Sequence, residues 1–217
     1  MAVDTFRRFT YFITSDDDNF LEILTSETFK QLQSLEGVEA FNIYKKDGDY
    51  FVVIDTDASF NSEQLFDAFS HLEDFKNIFV QHSAPLDRIY ELDQKVVYKP
   101  TEGQLKTAVA PYKRFVWTLL LEPDLIDEYK SVHAMGMAWP EITANMKSVG
   151  VKDMEIYIHK EQVMLIMDTM PDFNLDEVGP KWQKLPREEE WQAYVAKFQK
   201  TDTESSIQEK WQDMIKL

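Results

Sequence analysis

The sequence predicts an α+β chain made of two tandem β-α-β-β-α-β units. Three observations carry that reading. An Arg-Phe pair opens an apolar run twice: Arg8 before Phe9 to Thr14, and Arg114 before Phe115 to Leu121. A Gly-Val pair precedes a strand-like stretch twice: Gly37-Val38 before Phe41-Asn42-Ile43-Tyr44, and Gly150-Val151 before Met154-Glu155-Ile156-Tyr157. Val53-Ile54-Asp55-Thr56 then matches Ile166-Met167-Asp168-Thr169. The offset is 106 residues at the first pair and 113 from Gly37 onward. The second copy therefore carries seven extra residues between its first strand and Gly150. An internal repeat of this kind decides the architecture before any single element does.

The second copy shows the elements in order. Arg114 to Leu121 is rich in Val, Leu and aromatics, as a strand requires. Pro123 suits the first turn of a helix, which runs to about Lys147. Gly150 is placed to end that helix in a left-handed cap. Met154 to Ile158 and Val163 to Asp168 form two strands joined by a short turn. The matching turn in the first copy, Lys46-Asp47-Gly48-Asp49, carries an Asp-Gly hairpin signal. A second helix spans about Arg187 to Lys200. The last strand lies near Trp211 to Lys216, and its counterpart in the first copy is Arg88 to Leu92. This order is the ferredoxin-like split β-α-β, a four-stranded antiparallel sheet with both helices on one face. The other face stays apolar, and two such sheets packed face to face would bury it. The division is 1–95 for a degenerate first copy, 96–112 for a linker holding Pro100, Gly103 and Pro111, and 113–217 for the second copy.

Charge narrows the partners. Net charge is −16, and both halves are acidic, with 19 Asp and Glu against 9 Lys and Arg in residues 1–100 and 20 against 14 in residues 101–217. Phosphate recognition needs clustered cations, so neither nucleic acid nor an anionic membrane is expected. A neutral small molecule is electrostatically acceptable. The chain has no Cys, which excludes disulfides, thiolate nucleophiles and Cys-ligated metals. No apolar run approaches membrane-span length, and the expected compartment is the cytoplasm.

Chemistry is expected in the longer copy. Glu128-Tyr129-Lys130-Ser131-Val132-His133 puts a tyrosine and a histidine four residues apart, on one face of a helix. Trp139-Pro140-Glu141 follows and reads as a helix break and restart, since Pro140 disrupts the preceding turn. The first copy has neither the Tyr-His pair nor the Trp-Pro-Glu run.

These residues, with Ile142, Gly150, Ile156-Tyr157 and Trp191, make the second copy similar to the L-rhamnose mutarotase family. The resemblance covers about residues 112–217. It implies a ferredoxin-like subunit that pairs sheet to sheet, here as an intrachain pseudo-dimer, with a homodimer also possible. It implies an isomerase that interconverts the α and β anomers of L-rhamnose or a related deoxyhexose, without metal or organic cofactor. By position, His133 is the acid/base and Tyr129 and Trp191 bind substrate. Two departures fall on binding positions: Gln192 replaces a second tryptophan, and Met154 replaces a strand tyrosine.

Mutarotation opens the ring to the aldehyde and closes it on the other carbonyl face. The ring oxygen gains a proton while the anomeric hydroxyl loses one. An imidazole, with its ordinary pKa of about 6.5, suits such transfers near neutrality. Structural roles stand beside these readings. Tyr129 fits a core-edge aromatic with a wet hydroxyl, and Trp191 fits packing of the second helix on the sheet. Asp168 is a possible second acid/base, but its counterpart Asp55 sits in the copy without the histidine, which argues for structure. Asp16-Asp17-Asp18 and Glu188-Glu189-Glu190 read as acidic first turns of helices. His71, His82 and His159 read as solvated. Met135, Met137 and Met154 are candidates to shape a pocket. The rival to an enzyme is a non-catalytic sugar-binding or regulatory module on the same scaffold. An oxygenase-like activity draws no support, because no metal-ligand cluster is visible in the sequence.

Overall fold

The computed structural model describes residues 4–15, 22, 26–69, 84–200 and 210–217. Asp16, Asp17, Asp18, His71 and His82 lie outside the described residues. In chain order the first strands and helices are β1 (Thr5–Thr14), α1 (Glu27–Leu32), β2 (Val38–Lys46), β3 (Asp49–Asp57), α2 (Ser62–Phe69), β4 (Asp87–Glu91) and β5 (Gln104–Thr107). Then come β6 (Lys113–Leu120), α3 (Ile126–His133), α4 (Pro140–Ser148), β7 (Val151–His159) and β8 (Gln162–Thr169). The last are α5 (Leu175–Trp182), α6 (Glu188–Ala196), β9 (Gln212–Asp213) and β10 (Ile215–Lys216).

The chain divides into two compact units. One comprises Met1–Asp87, Tyr98–Ala108 and Met214–Leu217, and its sheet has the order β10-β2-β3-β1-β5. The other comprises Arg88–Val97 and Val109–Asp213, with the order β4-β7-β8-β6-β9.

The α+β character and the antiparallel sheets agree with expectation, but the sheet edges do not. Each sheet has five strands rather than four. Arg88 to Leu92, expected to close the first copy's sheet, forms β4 and joins β7 in the second unit, where the Leu92 N–H donates to the Met154 carbonyl at 2.8 Å. The place beside β1 is taken by β5, from the stretch read as linker. Trp211 to Lys216 splits: Gln212–Asp213 pairs with β6, and Ile215–Lys216 pairs with β2. A two-residue alternation says which face a side chain takes, not which sheet edge the strand joins. The choice is fixed by distant partners. Arg88 Nη1 on β4 lies 3.1 Å from Glu155 Oε1 on β7, both side chains buried, and Tyr157 donates to the same oxygen at 2.8 Å. Glu91 pairs with Nη2 of the same guanidinium at 2.8 Å, and the Glu155 carboxylate on β7 compensates the rest of this buried charge.

Within each sheet the local chemistry recurs. Arg8 faces Asp55 across β1 and β3, and Arg114 faces Asp168 across β6 and β8. Both pairs are bidentate, at 2.7 and 2.8 Å in the first unit and 2.7 and 2.6 Å in the second. The strand irregularity between Val38 and Ala40 reappears between Val151 and Asp153. Ahead of each bulge sits a glycine at positive φ, Gly37 at +84° and Gly150 at +101°. Each glycine carbonyl accepts a bond from the end of the following hairpin, from Asp57 and Met170 respectively. Only glycine takes that backbone without strain, and at Gly37 a Cβ would also stand 2.4 Å from the Phe60 ring.

The interrupted helix is as the sequence suggests. A 3-10 turn at Pro123–Leu125 leads into α3, and α4 restarts at Pro140 with Trp139 as its N-cap residue. The helix α5 was not anticipated. Asn174 starts it by accepting from the Asp176 N–H at 3.1 Å, and Pro180 sits inside it. On β7 the side chains of Met154, Ile156 and Ile158 join the second unit's core with Leu165, Tyr129 and Trp191. That core frames the site.

Candidate active site

Helix α3 brings the first two candidates together. Tyr129 and His133 lie one turn apart and both are buried, with ring centroids 4.2 Å apart. The His133 Nδ1 is 2.9 Å from the Tyr129 backbone carbonyl. A carbonyl only accepts, so Nδ1 carries the proton and Nε2 of the neutral ring is left with its lone pair. The helix stops there because Ala134 is extended and Gly136 takes φ +79°. Burial lowers the His133 pKa to about 4, opposed by the hydrogen bond to Tyr129. The expectation of an imidazole titrating near neutrality is therefore corrected: the fold holds this ring neutral. Burial also pushes the Tyr129 hydroxyl above its ordinary range, so it stays a phenol.

Helix α6 closes the site from another side. Trp191 is buried and meets His133 edge-on at 5.7 Å. Trp139 packs on Trp191 at 5.2 Å, and the Arg187 guanidinium lies 4.0 Å above the Trp139 ring. Trp139-Pro140-Glu141 thus supports the wall rather than entering the cavity.

A cavity of about 380 Å³ opens among these elements, of a size for a small molecule. His133, Tyr129, Trp191, Gln192 and Met154 all line it, so the five residues singled out in the sequence come together in one space. Met135 and Met137, candidates to shape a pocket, are exposed, and Met146 lines the cavity instead. His159 is half-buried at the end of β7, where burial and Lys160 lower its pKa. Asp168 is bound by Arg114 and does not line the cavity.

Two lining residues escape a sequence reading. Tyr90, on β4, meets His133 edge-on at 6.1 Å, and burial pushes its hydroxyl up to about 12. Nothing local in the sequence places a residue from position 90 beside position 133. Glu188 looks like a solvated first-turn acid, yet it is 2 % exposed. Its Oε1 accepts from Trp182 Nε1 at 3.0 Å and from Asn145 Nδ2 at 3.0 Å. Asn145 offered a signal: it shares the apolar face of α4 with Ile142 and Met146, where a polar side chain needs a partner. Among the described residues, no group of three or more His, Cys, Asp or Glu is arranged to hold a metal ion. No described helix is long and apolar enough to cross a membrane.

Comparison with known proteins falls on this same half. Residues 114–217 match the family model described as L-rhamnose mutarotase. An L-fucose mutarotase of Xanthomonas campestris pv. campestris is 27% identical over 103 residues, covering 46% of this chain and 82% of that protein. A UPF0734 protein of Dictyostelium discoideum is 28% identical over 109 residues, covering 48% and 86%. Among solved structures, an anthrone oxidase-like protein aligns with a TM-score of 0.46 at 10% identity, over 97% of this chain and 90% of that one. Residues 114–217 are thus similar to the L-rhamnose mutarotase family.

Proposed function

We propose that the protein is a sugar mutarotase acting on L-rhamnose, L-fucose or a related deoxyhexose, with His133 as its acid/base. The observation that carries this is the neutral imidazole of His133 at the wall of the cavity, its Nδ1 proton committed to the Tyr129 carbonyl. Nε2 accepts the anomeric hydroxyl proton as the ring C–O bond breaks and delivers that proton to the ring oxygen, so the imidazole returns to its neutral form. On reclosure the hydroxyl attacks the other face of the aldehyde and the transfers reverse. Tyr129 hydrogen-bonds a sugar hydroxyl, and Trp191 lays an apolar face against the C–H side of the pyranose. Gln192 and Met154 set the fit. No cofactor enters this chemistry. The tandem pseudo-dimer belongs to the same proposal, supported by the register and bulges that recur in both sheets. So does a cytoplasmic location.

The test is NMR saturation transfer between anomeric protons of L-rhamnose, L-fucose and other reducing sugars. Wild type should speed exchange over buffer, and His133→Ala should lower kcat about 100-fold or more, the usual worth of a placed acid/base. No acceleration with any sugar would sink the reading, and full activity of His133→Ala would sink the assignment of His133. A sugar-binding module is the second reading, favoured by the cavity-facing Met154, which offers no hydroxyl to a ligand. Binding without exchange would select it.

A further inference from the structure

We infer that Glu188 is the specificity-determining residue of the cavity, accepting a hydrogen bond from one hydroxyl of an uncharged sugar. This rests on the sugar-binding reading and goes beyond it in naming the residue and the charge class of the ligand.

Three observations converge. Glu188 lines the cavity and is 2 % exposed, so the access its carboxylate keeps is through the cavity. Its partners are neutral: Trp182 Nε1 and Asn145 Nδ2, both on Oε1. Oε2 has no hydrogen bond and Glu188 no ion pair among the described residues. A carboxylate oxygen shielded from bulk water gains from a donor that reaches it. Here the cavity is where that donor can stand.

The side chain is also held in place. Glu188 is the first residue of α6, where the helix dipole favours negative charge. Asn145 donates both to Glu188 and to the Pro186 carbonyl at 2.9 Å, tying α4 to the residues that enter α6. Trp182 approaches from α5. Three helices thus fix one oxygen and leave the other for a ligand, an arrangement that reads a hydroxyl by position rather than by adaptation.

The rest of the wall agrees with the charge class. Asp176 and Asp213 also line the cavity, and among the described residues no Lys or Arg does. A phosphate or carboxylate on the ligand would meet carboxylates without a cation to balance it. Hydroxyl donors meet an acceptor, and Trp191 and Trp182 supply flat apolar surface.

The experiment compares wild type with Glu188→Gln in the full chain. Binding of L-fucose and L-rhamnose is read by intrinsic tryptophan fluorescence, since Trp117, Trp182, Trp191 and Trp211 line the cavity. Kinetics are read by anomeric exchange. Gln keeps an acceptor for Asn145 and Trp182 but replaces the free oxygen with a donor. Kd and KM should rise about tenfold, the scale of one charge-assisted bond, with kcat within about threefold. In a series of monodeoxy sugars, one member should bind wild type and Glu188→Gln alike, marking the hydroxyl that Glu188 reads. The 1-phosphate of the sugar should not bind.

An unchanged Kd for the parent sugars overturns the inference. So does an equal loss across the whole deoxy series, the mark of a merely structural residue, or tight binding of the phosphate. Should Glu188→Gln fail to fold, Glu188→Asp, which shortens the reach of the carboxylate, decides the point by the same series. Binding by wild type without exchange sinks the catalytic reading alone. Exchange with an unchanged KM in Glu188→Gln sinks this inference alone, and failure to bind any of the sugars sinks both.

Discussion

The two sheets place the same kinds of residue at matching positions and use them differently. Trp117, Met154, Ile156 and Leu165 line the cavity of the second unit. Their counterparts at offsets of 106 and 113 residues are Tyr11, Phe41, Ile43 and Val52, which lie buried in the first unit's core. Both sheets keep the Arg–Asp pair, the bulge and the positive-φ glycine. The sheet is therefore a frame, and the difference comes from what packs on it. In the second unit, α3 and α6 bring His133, Tyr129 and Trp191 over the strands and leave space between. Strand chemistry preserves register, while side chains arriving from helices decide whether a face is core or site.

The largest expected effect tests the claim that the frame is purely structural. Asp55→Asn removes the carboxylate that faces buried Arg8, and Asp168→Asn the one that faces part-buried Arg114. Breaking such a pair costs about 3–5 kcal/mol, read as a fall in the urea midpoint. The loss at Asp55 should be the larger, because Arg8 is the more deeply buried of the two arginines. Once folded, Asp168→Asn should keep kcat within about threefold of wild type. A drop of about 100-fold would bring Asp168 into the chemistry and end the comparison as drawn.

What the sequence revealed follows the same line. The Gly150 cap, the restart at Pro140 and the hairpin at Asp47 were legible because a few adjacent residues decide them. The Tyr129–His133 pair was legible because helical spacing fixes which side chains share a face. The strand edges were not, since β4 is chosen by a buried Arg88–Glu155 contact 67 residues apart in sequence. Tyr90 and Glu188 were missed for that reason too. One arrives through the rerouted strand, and the other is buried only because Trp182 and Asn145 converge on it from other helices. The pKa of His133 was likewise misjudged, because burial is a property of the packed unit.

That burial gives the second unit a pH dependence of its own. Folded His133 has a pKa of about 4, below the ordinary 6.5. Between those values the unfolded chain binds a proton that the native state refuses. The stability from keeping this ring neutral is thus fully present above about pH 6.5 and is lost as pH falls toward 4. At 1.36 kcal/mol per unit the loss reaches about 3 kcal/mol. Urea midpoints of wild type and His133→Gln, taken from pH 7 to pH 4, should diverge by that slope, and parallel curves would remove the claim. The acid limb of kcat/KM should likewise fall near pH 4, not near 6.5.

The smallest effect is the most direct exchange between the two units. Met154→Phe copies into the second sheet the residue that Phe41 supplies in the first. Met154 is buried at the cavity wall, so a stiffer and bulkier ring must take space from the ligand. The backbone at the two positions has the same place in register, opposite Met167 and Ile54 respectively, so the ring is compatible with the strand. Stability should change by less than about 1.5 kcal/mol, as for a near volume-conserving apolar swap. KM should rise about tenfold while kcat stays within about threefold, because His133 and Tyr129 are held by α3 and not by β7. A large loss of kcat with KM unchanged would mean that residue 154 positions the imidazole. A variant indistinguishable from wild type would mean that the sugar does not approach this strand, and the site would then lie between the helices alone.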